Sequence, residues 1–214
     1  MSTADLDEIT RLHVEKAVDA LCEEFGDTIP REEIALLMDD SLRQLVREAE
    51  VNDFVATLAH RFTRERLMAR GHRSLVTGSG AATPAILFVG LHDTGRGQMA
   101  AALTSQRSEG RVVVHSAGND PTVSVDPAVL EVMSEVGIDL GEAYAKPISL
   151  EVLDSVDVVV TLGRSVGLVE IPASARHEDW RVGDPTGAEL DEVRRIRDDL
   201  ARRVDALLVE LLPR

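Results

Sequence analysis

The sequence is short of cysteine, of aromatic residues and of long apolar runs, and each shortage excludes a class of protein. The 214 residues contain one cysteine, Cys22, which excludes an intramolecular disulfide and a cysteine-rich zinc or iron–sulfur site. Aromatic residues make up 3% of the chain, too few for the stacking platforms of single-strand nucleic-acid binders. No stretch reaches the ~20 apolar residues of a membrane-spanning helix. No metal or other cofactor is expected.

Positive charge is scarce as well. The chain has 38 acidic side chains against 23 of lysine and arginine, a formal net charge of −15 at pH 7. Because nucleic-acid backbones and anionic membranes are themselves negative, neither is an expected partner. The first residues are polar and acidic, unlike the basic and then apolar pattern of a secretory signal, so we expect a cytoplasmic protein.

Residues 1–70 show the apolar spacing of helices. The first predicted helix places Ile9, His13 and Leu21 on one face, and Gly26 ends it. Two further helices follow, so a small three-helix bundle is predicted. A bundle of this size buries little core on its own, which favours association with a partner or a second copy. A plain structural cap and a regulatory DNA-binding role are the alternatives.

Residues 71–83 are small, polar and aperiodic, and they are predicted to form a flexible linker. In residues 84–214 apolar strands alternate with helices. The strands predicted from this pattern are 84–89, 111–115 and 156–161, and the first is a continuous apolar run typical of a buried parallel strand. The alternation predicts an α/β, doubly wound domain, which binds ligands beyond the carboxyl ends of its strands.

The most informative pattern follows the first of these strands, in residues 88–103. This segment resembles the active loop of the low-molecular-weight protein tyrosine phosphatase superfamily, and its continuation, 98–102, is most similar to the arsenate reductases built on that fold. The resemblance implies a four-stranded parallel sheet. Further similarities follow in order along the chain, at residues 115–118, 125–127, 135–139, 146–147, 157–163, 178–180 and 184–185.

The helices of residues 1–70 resemble a dimerisation domain that precedes such domains in some bacteria. The resemblance therefore implies a homodimer formed through these helices. It also implies an arsenate reductase-like or tyrosine phosphatase-like protein whose ligand is a phosphate, sulfate or arsenate anion.

The resemblance assigns roles to individual residues. In the family the loop has the form Cys-x5-Arg-Ser: the cysteine attacks phosphorus or arsenic, the amides wrap the oxyanion, and the arginine binds it bidentately. Gly90 holds the nucleophile position, Asp184 the general acid position, and Trp180 is expected to be a pocket wall or a core residue. Gly95 is expected to provide left-handed backbone. The implied oxyanion-binding residues are Leu91, His92, Asp93, Thr94, Gly95, Arg96 and Gly97.

The chain departs from the family where the chemistry is done. Gly90 has no nucleophile, whereas the family's thiolate at a helix N-terminus drives the reaction. Asp93 replaces an asparagine, and its carboxylate is expected to repel an anion in the loop. Gly97 replaces the serine. Arg164 and Leu168 stand approximately where reductases carry two further cysteines that relay electrons.

Three functional hypotheses follow from these departures. The first is a catalytically impaired homologue that keeps an oxyanion-binding or regulatory role. The second is an active enzyme in which Arg96 captures the oxyanion and Asp93, His92 or a small external thiol is the nucleophile. The third is a dimeric interaction protein that binds no anion. His92 is otherwise interpreted as a loop histidine bonded to backbone, and Cys22 as a small buried apolar residue of the first helix.

Overall fold

The computed structural model describes residues 7–46, 54–76, 83–121, 124–163 and 170–212. The chain divides into two compact units, and the boundary lies between His72 and Arg73. Within the described ranges, none of the helices combines the length and the apolar character needed to span a bilayer.

The N-terminal unit consists of three helices, as predicted. They are α1 (Glu8–Phe25), α2 (Arg31–Val46) and α3 (Val55–Val76). Asp7 caps α1, because its carboxylate accepts hydrogen bonds from the backbone amides of Ile9 and Thr10 at 2.9 Å. The apolar core of the bundle is formed by Val14, Val18, Leu21, Ile34, Leu37, Met38, Leu42, Val55, Ala56, Ala59 and Leu67.

The buried face of α1 differs from the prediction. Ile9 and His13 are exposed, and the face one residue further along is buried instead. Its members are Thr10, Val14, Val18 and Leu21. Two stripes of similar spacing overlap in this helix, and only packing against the other helices decides which one is buried.

The end of α3 also differs from the prediction. The helix runs to Val76, so residues 71–76 of the predicted linker are helical. This segment contains no proline, and one glycine in a helix costs only about 1 kcal/mol. Residues 77–82 of the predicted linker lie outside the described residues.

The C-terminal unit is an α/β fold with a single sheet. Its four strands lie in the order β2-β1-β3-β4, and every neighbouring pair is parallel. The predicted doubly wound, four-stranded parallel sheet is therefore confirmed. The elements are β1 (Ala85–Gly90), α4 (Arg96–Ser108), β2 (Val113–Gly118), α5 (Pro127–Ser134), α6 (Leu150–Leu153), β3 (Val158–Leu162), β4 (Arg176–Trp180) and α7 (Leu190–Leu211).

The order of the strands determines where a ligand site forms. All six residues of β1 are buried, because the strand lies between β2 and β3. The chain leaves β1 toward β2 on one side and later returns to β3 on the other. The carboxyl end of β1 is therefore the topological switch point of the sheet, the place where ligands bind in open α/β folds.

The edge strand β4 could not be read from an apolar pattern. Its sequence is Arg-His-Glu-Asp-Trp, and only Trp180 is buried. The family resemblance, and not periodicity, supplied the fourth strand. β2 begins two residues later than predicted and continues through Ser116 to Gly118, because pairing with β1 continues to the end of both strands.

Candidate functional site

The candidate site is the loop of residues 91–95 between β1 and α4. The end of β2 fixes its start: the amide of Asn119 donates to the carbonyl oxygen of Gly90 at 3.1 Å, and the amide of Asp120 donates to that of Leu91 at 2.8 Å. Gly118 permits this close approach. A Cβ atom there would lie 2.9 Å from backbone atoms of Leu91 and His92, closer than Cβ atoms approach backbone.

Space is left at the nucleophile position. A Cβ atom built on Gly90 has the Asp93 amide nitrogen, at 3.9 Å, as its nearest contact. That separation is an ordinary van der Waals contact, so a Cβ atom fits at residue 90 without displacing the loop.

Asp93 provides the left-handed turn of the loop. Its φ angle is 55°, whereas Gly95 has a φ of −142°; the prediction that Gly95 supplies left-handed backbone was wrong. Glycine at 95 is required by close packing, because a Cβ atom there would lie 2.6 Å from Cγ of Pro185. The side chain of Asp93 allows an αL conformation that costs most residues free energy.

The carboxylate of Asp93 lies in the interior of the domain. Asp93 is 2% exposed, and its Oδ2 accepts hydrogen bonds from Gln98 Nε2 at 3.0 Å, Ser116 Oγ at 3.2 Å and the Lys146 amide at 3.3 Å. The expectation that this carboxylate lies beside the anion is therefore corrected. It bonds to α4, β2 and the segment before α6, because three donors converge there.

Two glycines leave space for neighbouring side chains of the site, Gly97 for Asp93 and Gly163 for Arg96. A Cβ atom on Gly97 would lie 3.0 Å from Asp93 Oδ1, and one on Gly163 would contact the guanidinium of Arg96. Gly163 also has a φ of +85°, which favours glycine. The glycine at residue 97, where the family has a serine, thus leaves space for the Asp93 carboxylate.

Four amides of the loop have no hydrogen-bond acceptor in the described part of the chain. Within the described ranges, the amides of Leu91, His92, Thr94 and Gly95 donate no hydrogen bond to the protein. The first turn of α4 follows directly. Successive free amides before a helix N-terminus form a nest for an anion.

His92 is a structural residue of the loop. Its Nδ1 lies 2.7 Å from the carbonyl oxygen of Asp120. A carbonyl oxygen only accepts, so Nδ1 carries the proton and donates it. This geometry agrees with the interpretation of His92 as a loop histidine bonded to backbone.

Arg96, the first residue of α4, is held by an acidic partner. Its Nη2 lies 3.0 Å from Asp184 Oδ2, and its Nη1 donates to the carbonyl oxygen of Val182 at 3.3 Å. The Arg96 side chain is 12% exposed and that of Asp184 is 58% exposed. The structure thus brings the predicted anion-binding arginine and the predicted general acid together.

Asp184 is ionised at neutral pH. Partial burial raises its pKa, but hydrogen bonds from Thr186 and the positive charges of Arg96 and His92 lower it more, so the net pKa lies below the ordinary value of 3.8. As the site stands, Asp184 is a carboxylate paired with Arg96 and holds no proton to donate.

The remaining predicted site residues lie in other parts of the structure or outside the residues that it describes. Trp180 belongs to the apolar core, where its ring lies 5.7 Å from that of Phe88. Arg164 and Leu168 lie outside the described residues. Cys22 is half-buried in the N-terminal unit, with Arg31 Nη1 3.7 Å from its sulfur.

Sequence reasoning missed the side chains that hold Asp93. Gln98, Ser116 and Lys146 stood within the segments that carry the resemblance, but none was assigned a role. One signal was available: Lys146 is one of only two lysines in a chain with 21 arginines.

Among the described residues, no group of three or more histidine, cysteine, aspartate or glutamate side chains is arranged to hold a metal ion.

The comparison with known families defines the class of protein. Residues 85–213 match the family of low molecular weight phosphotyrosine protein phosphatases, and the chain belongs to this family. Residues 14–71 match the N-terminal domain described as protein-tyrosine-phosphatase-like. The two matches correspond to the two units of the structure.

Individual relatives are arsenate reductases. The glutaredoxin arsenate reductase of Synechocystis is 32% identical over 128 residues, which are 59% of this chain and 97% of that protein. A Halobacterium salinarum protein is 37% identical over 132 residues, 59% of this chain and 92% of its own. The solved thioredoxin-dependent arsenate reductase of Corynebacterium glutamicum has a TM-score of 0.80 and 26% identity, covering 92% of this chain and 96% of that one.

The ion pair between Arg96 and Asp184 can be tested by titration. We expect the Asp184 carboxyl to titrate below 3.8 and Arg96→Met to raise that pKa, because the guanidinium charge stabilises the carboxylate. Carbon-13 NMR of the side-chain carboxyl measures both values. Since the folded pKa is depressed, the stabilisation is present above the unfolded pKa and is lost as pH falls through the folded one. Arg107→Met, which removes a partner of Asp205, is the matched control; an unchanged Asp184 pKa in Arg96→Met contradicts the ion pair.

Proposed function

We propose that the C-terminal domain binds a phosphate-like oxyanion in the loop of residues 90–97 but lacks the thiol turnover of its family. One observation carries the proposal: the loop, its arginine and its acidic residue are assembled around a nucleophile position occupied by glycine. The protein is then an arsenate reductase-like homologue with a binding or regulatory role.

The support for anion binding is the set of donors at the loop. The unpaired amides of Leu91, His92, Thr94 and Gly95 precede α4, and Arg96 lies beside them with a guanidinium that suits bidentate oxyanion contacts. A solved structure described as an arsenate reductase in the phosphate binding state is 31% identical to this chain, with a TM-score of 0.56 over 60% of it. That relative supports phosphate as the probe to use.

The support for lost turnover is that residues 73–214, the C-terminal unit, contain no cysteine. Glycine at 90 cannot form the covalent intermediate on which thiol-based phosphoryl or arsenate chemistry depends. The single cysteine, Cys22, belongs to the N-terminal unit. Asp184 can serve as a general acid only when a nucleophile displaces a leaving group that needs its proton.

Phosphate titration tests the binding site. We expect inorganic phosphate, and likewise arsenate, to raise the thermal stability of the full chain, because a ligand that binds only the folded state stabilises it. Arg96→Met is expected to weaken phosphate binding by about tenfold or more, the usual effect of losing charge-assisted hydrogen bonds. Calorimetry measures the affinities.

Arg107→Met is the matched control for this titration. Arg107 lies on the same helix, α4, but pairs with Asp205 on α7, so its loss leaves phosphate affinity unchanged. No stabilisation of the wild-type chain at about 10 mM phosphate contradicts the proposal and favours the interaction protein that binds no anion.

A thiol restored at the nucleophile position tests the lost turnover. We expect Gly90→Cys to hydrolyse p-nitrophenyl phosphate at least about tenfold faster than the wild type, because a thiolate beside a helix N-terminus is an activated nucleophile. The position has room for the side chain, with its nearest contact at 3.9 Å. Gly90→Ala fills the same space without a nucleophile and is expected to stay inactive. Wild-type turnover equal to that of Gly90→Cys contradicts the proposal.

The space at Gly90 favours one second candidate, an arsenate reductase that uses an external thiol. The thiolate attacks arsenic and water leaves; a second thiol attacks the sulfur of the adduct, which gives a disulfide and releases arsenite. The same variants decide this candidate when arsenite is measured with a small thiol added. It predicts activity in the wild type and a loss in Gly90→Ala, whereas our proposal predicts activity in neither.

We also propose that the N-terminal unit forms a homodimer. Large apolar side chains stay exposed on the bundle, among them Ile9 (64%), Leu12 (49%) and Phe54 (71%), and apolar exposure on a small bundle favours pairing. Sedimentation equilibrium of the full chain is expected to give twice the chain mass of 23.3 kDa. Leu12→Asp is expected to weaken the dimer; a wild-type monomer at high concentration contradicts it.

A further inference from the structure

We infer that Gly163 is a positioning residue of the anion site: its bare backbone, directly after β3, is the surface on which the guanidinium of Arg96 lies. A side chain at residue 163 displaces the guanidinium from this surface, and an anion in the loop then loses its arginine. The inference rests on the proposed anion site, but its first test below requires no anion.

The space beside Gly163 is filled by the end of one side chain. A Cβ atom built on Gly163 would lie 3.0 Å from Cζ and 3.3 Å from Nη2 of Arg96, and it would collide with Nη1. The three atoms nearest to that Cβ therefore all belong to one guanidinium. Because a guanidinium ends a long, flexible side chain, an added Cβ displaces it and leaves the surrounding backbone in place.

The backbone of Gly163 gives a second reason for glycine, and the two reasons can be separated. Its φ angle is +85°, in the left-handed region that favours glycine. Gly110 has nearly the same φ, +78°, but a Cβ atom built there meets no atom of the described chain within 4 Å beyond its sequence neighbours. Alanine at residue 110 therefore measures the backbone strain alone, and the excess at residue 163 measures the contact with Arg96.

The surface under the guanidinium is held by β4. The amide of Gly163 donates to the carbonyl oxygen of Trp180 at 3.2 Å, and the amide of Val182 donates to the same oxygen at 3.0 Å. The carbonyl oxygen of Val182 in turn accepts from Arg96 Nη1 at 3.3 Å. One carbonyl oxygen thus joins the backbone beneath the guanidinium to the acceptor at its tip. A guanidinium fixed in this way loses little freedom when it binds an anion.

The guanidinium in this position keeps donors for a ligand. Val182 and Asp184 accept from Nη1 and Nη2, which engages two of the five N–H groups. Among the described residues, none accepts a hydrogen bond from Nε of Arg96. Because Arg96 directly follows the loop, these remaining N–H groups and the loop amides are donors of one site.

The first test measures the contact without an anion. We expect Gly163→Ala to lower the unfolding midpoint of the C-terminal unit by about 3 °C or more beyond the effect of Gly110→Ala, because the displaced guanidinium loses its bonds to Val182 and Asp184. In an Arg96→Met chain the two alanine substitutions are expected to have equal effects, since methionine is too short to reach the place of the guanidinium. Calorimetry of the full chain measures the midpoints.

Two results of this cycle overturn the inference. One is an equal effect of Gly163→Ala and Gly110→Ala in the wild-type chain, and the other is an excess that persists in the Arg96→Met chain. Where Gly163→Ala does not fold, the combination of Gly163→Ala with Arg96→Met decides: a folded double variant supports the inference, and an unfolded one overturns it.

The second test measures what this position does for the anion. We expect Gly163→Ala to weaken the binding of inorganic phosphate by about tenfold or more, as Arg96→Met does. Combining the two substitutions is expected to cause no further loss, because a displaced guanidinium and a missing one are equivalent for the ligand. Gly110→Ala is the matched control and is expected to keep the wild-type affinity. Titration calorimetry gives the affinities.

The phosphate measurements can also contradict the inference. Unchanged or tighter binding in Gly163→Ala, which means that the guanidinium does not need this surface to reach the anion, overturns it, and so does a further loss in the double variant. A wild-type chain that binds no phosphate contradicts the proposed function alone, because the unfolding cycle still decides whether Gly163 positions Arg96.

Discussion

Three hydrogen bonds to one oxygen of Asp93 hold together the part of the domain where a ligand site forms. They join the start of α4, the end of β2 and the segment before α6, all of which meet at the carboxyl edge of the sheet. Loss of one donor in such a network leaves a buried acceptor without its hydrogen bond, which costs about 1–3 kcal/mol. The conformation of the loop after β1 therefore depends on Gln98, Ser116 and Lys146, which lie outside the loop itself.

This dependence separates the architecture of the site from its chemistry. A Cβ atom built on Gly90 has only the Asp93 amide nitrogen, at 3.9 Å, within 4 Å, so the loop is formed without any side chain at the nucleophile position. Gly118, Asp93 and Gly97 determine the course of the backbone through close approaches and hydrogen bonds. A chain can therefore lose the reacting atom of a family and keep its binding loop, since a fold and the function grafted onto it are independent.

The sequence predicted the features that depend on local pattern and failed where packing decides. The apolar run at residues 84–89 was sufficient to place β1. The charged strand β4 has no such pattern, because an edge strand needs only one buried residue, Trp180. The αL residue of the loop was assigned to Gly95 on propensity, whereas hydrogen bonds place Asp93 there. Contacts from distant segments are not visible in a local pattern.

The ion pair between Arg96 and Asp184 means that an anion competes with a carboxylate of the protein for the guanidinium. The guanidinium bonds to a carboxylate and to a carbonyl oxygen, so two of its five N–H groups are engaged and an incoming anion uses the others or displaces these acceptors. A carboxylate carries one negative charge, and a phosphate dianion carries two with more acceptor oxygens. The loop amides, which donate no hydrogen bond within the described chain, are further donors beside Arg96. A dianion with more acceptor oxygens can therefore engage more of these donors than a carboxylate of the same size.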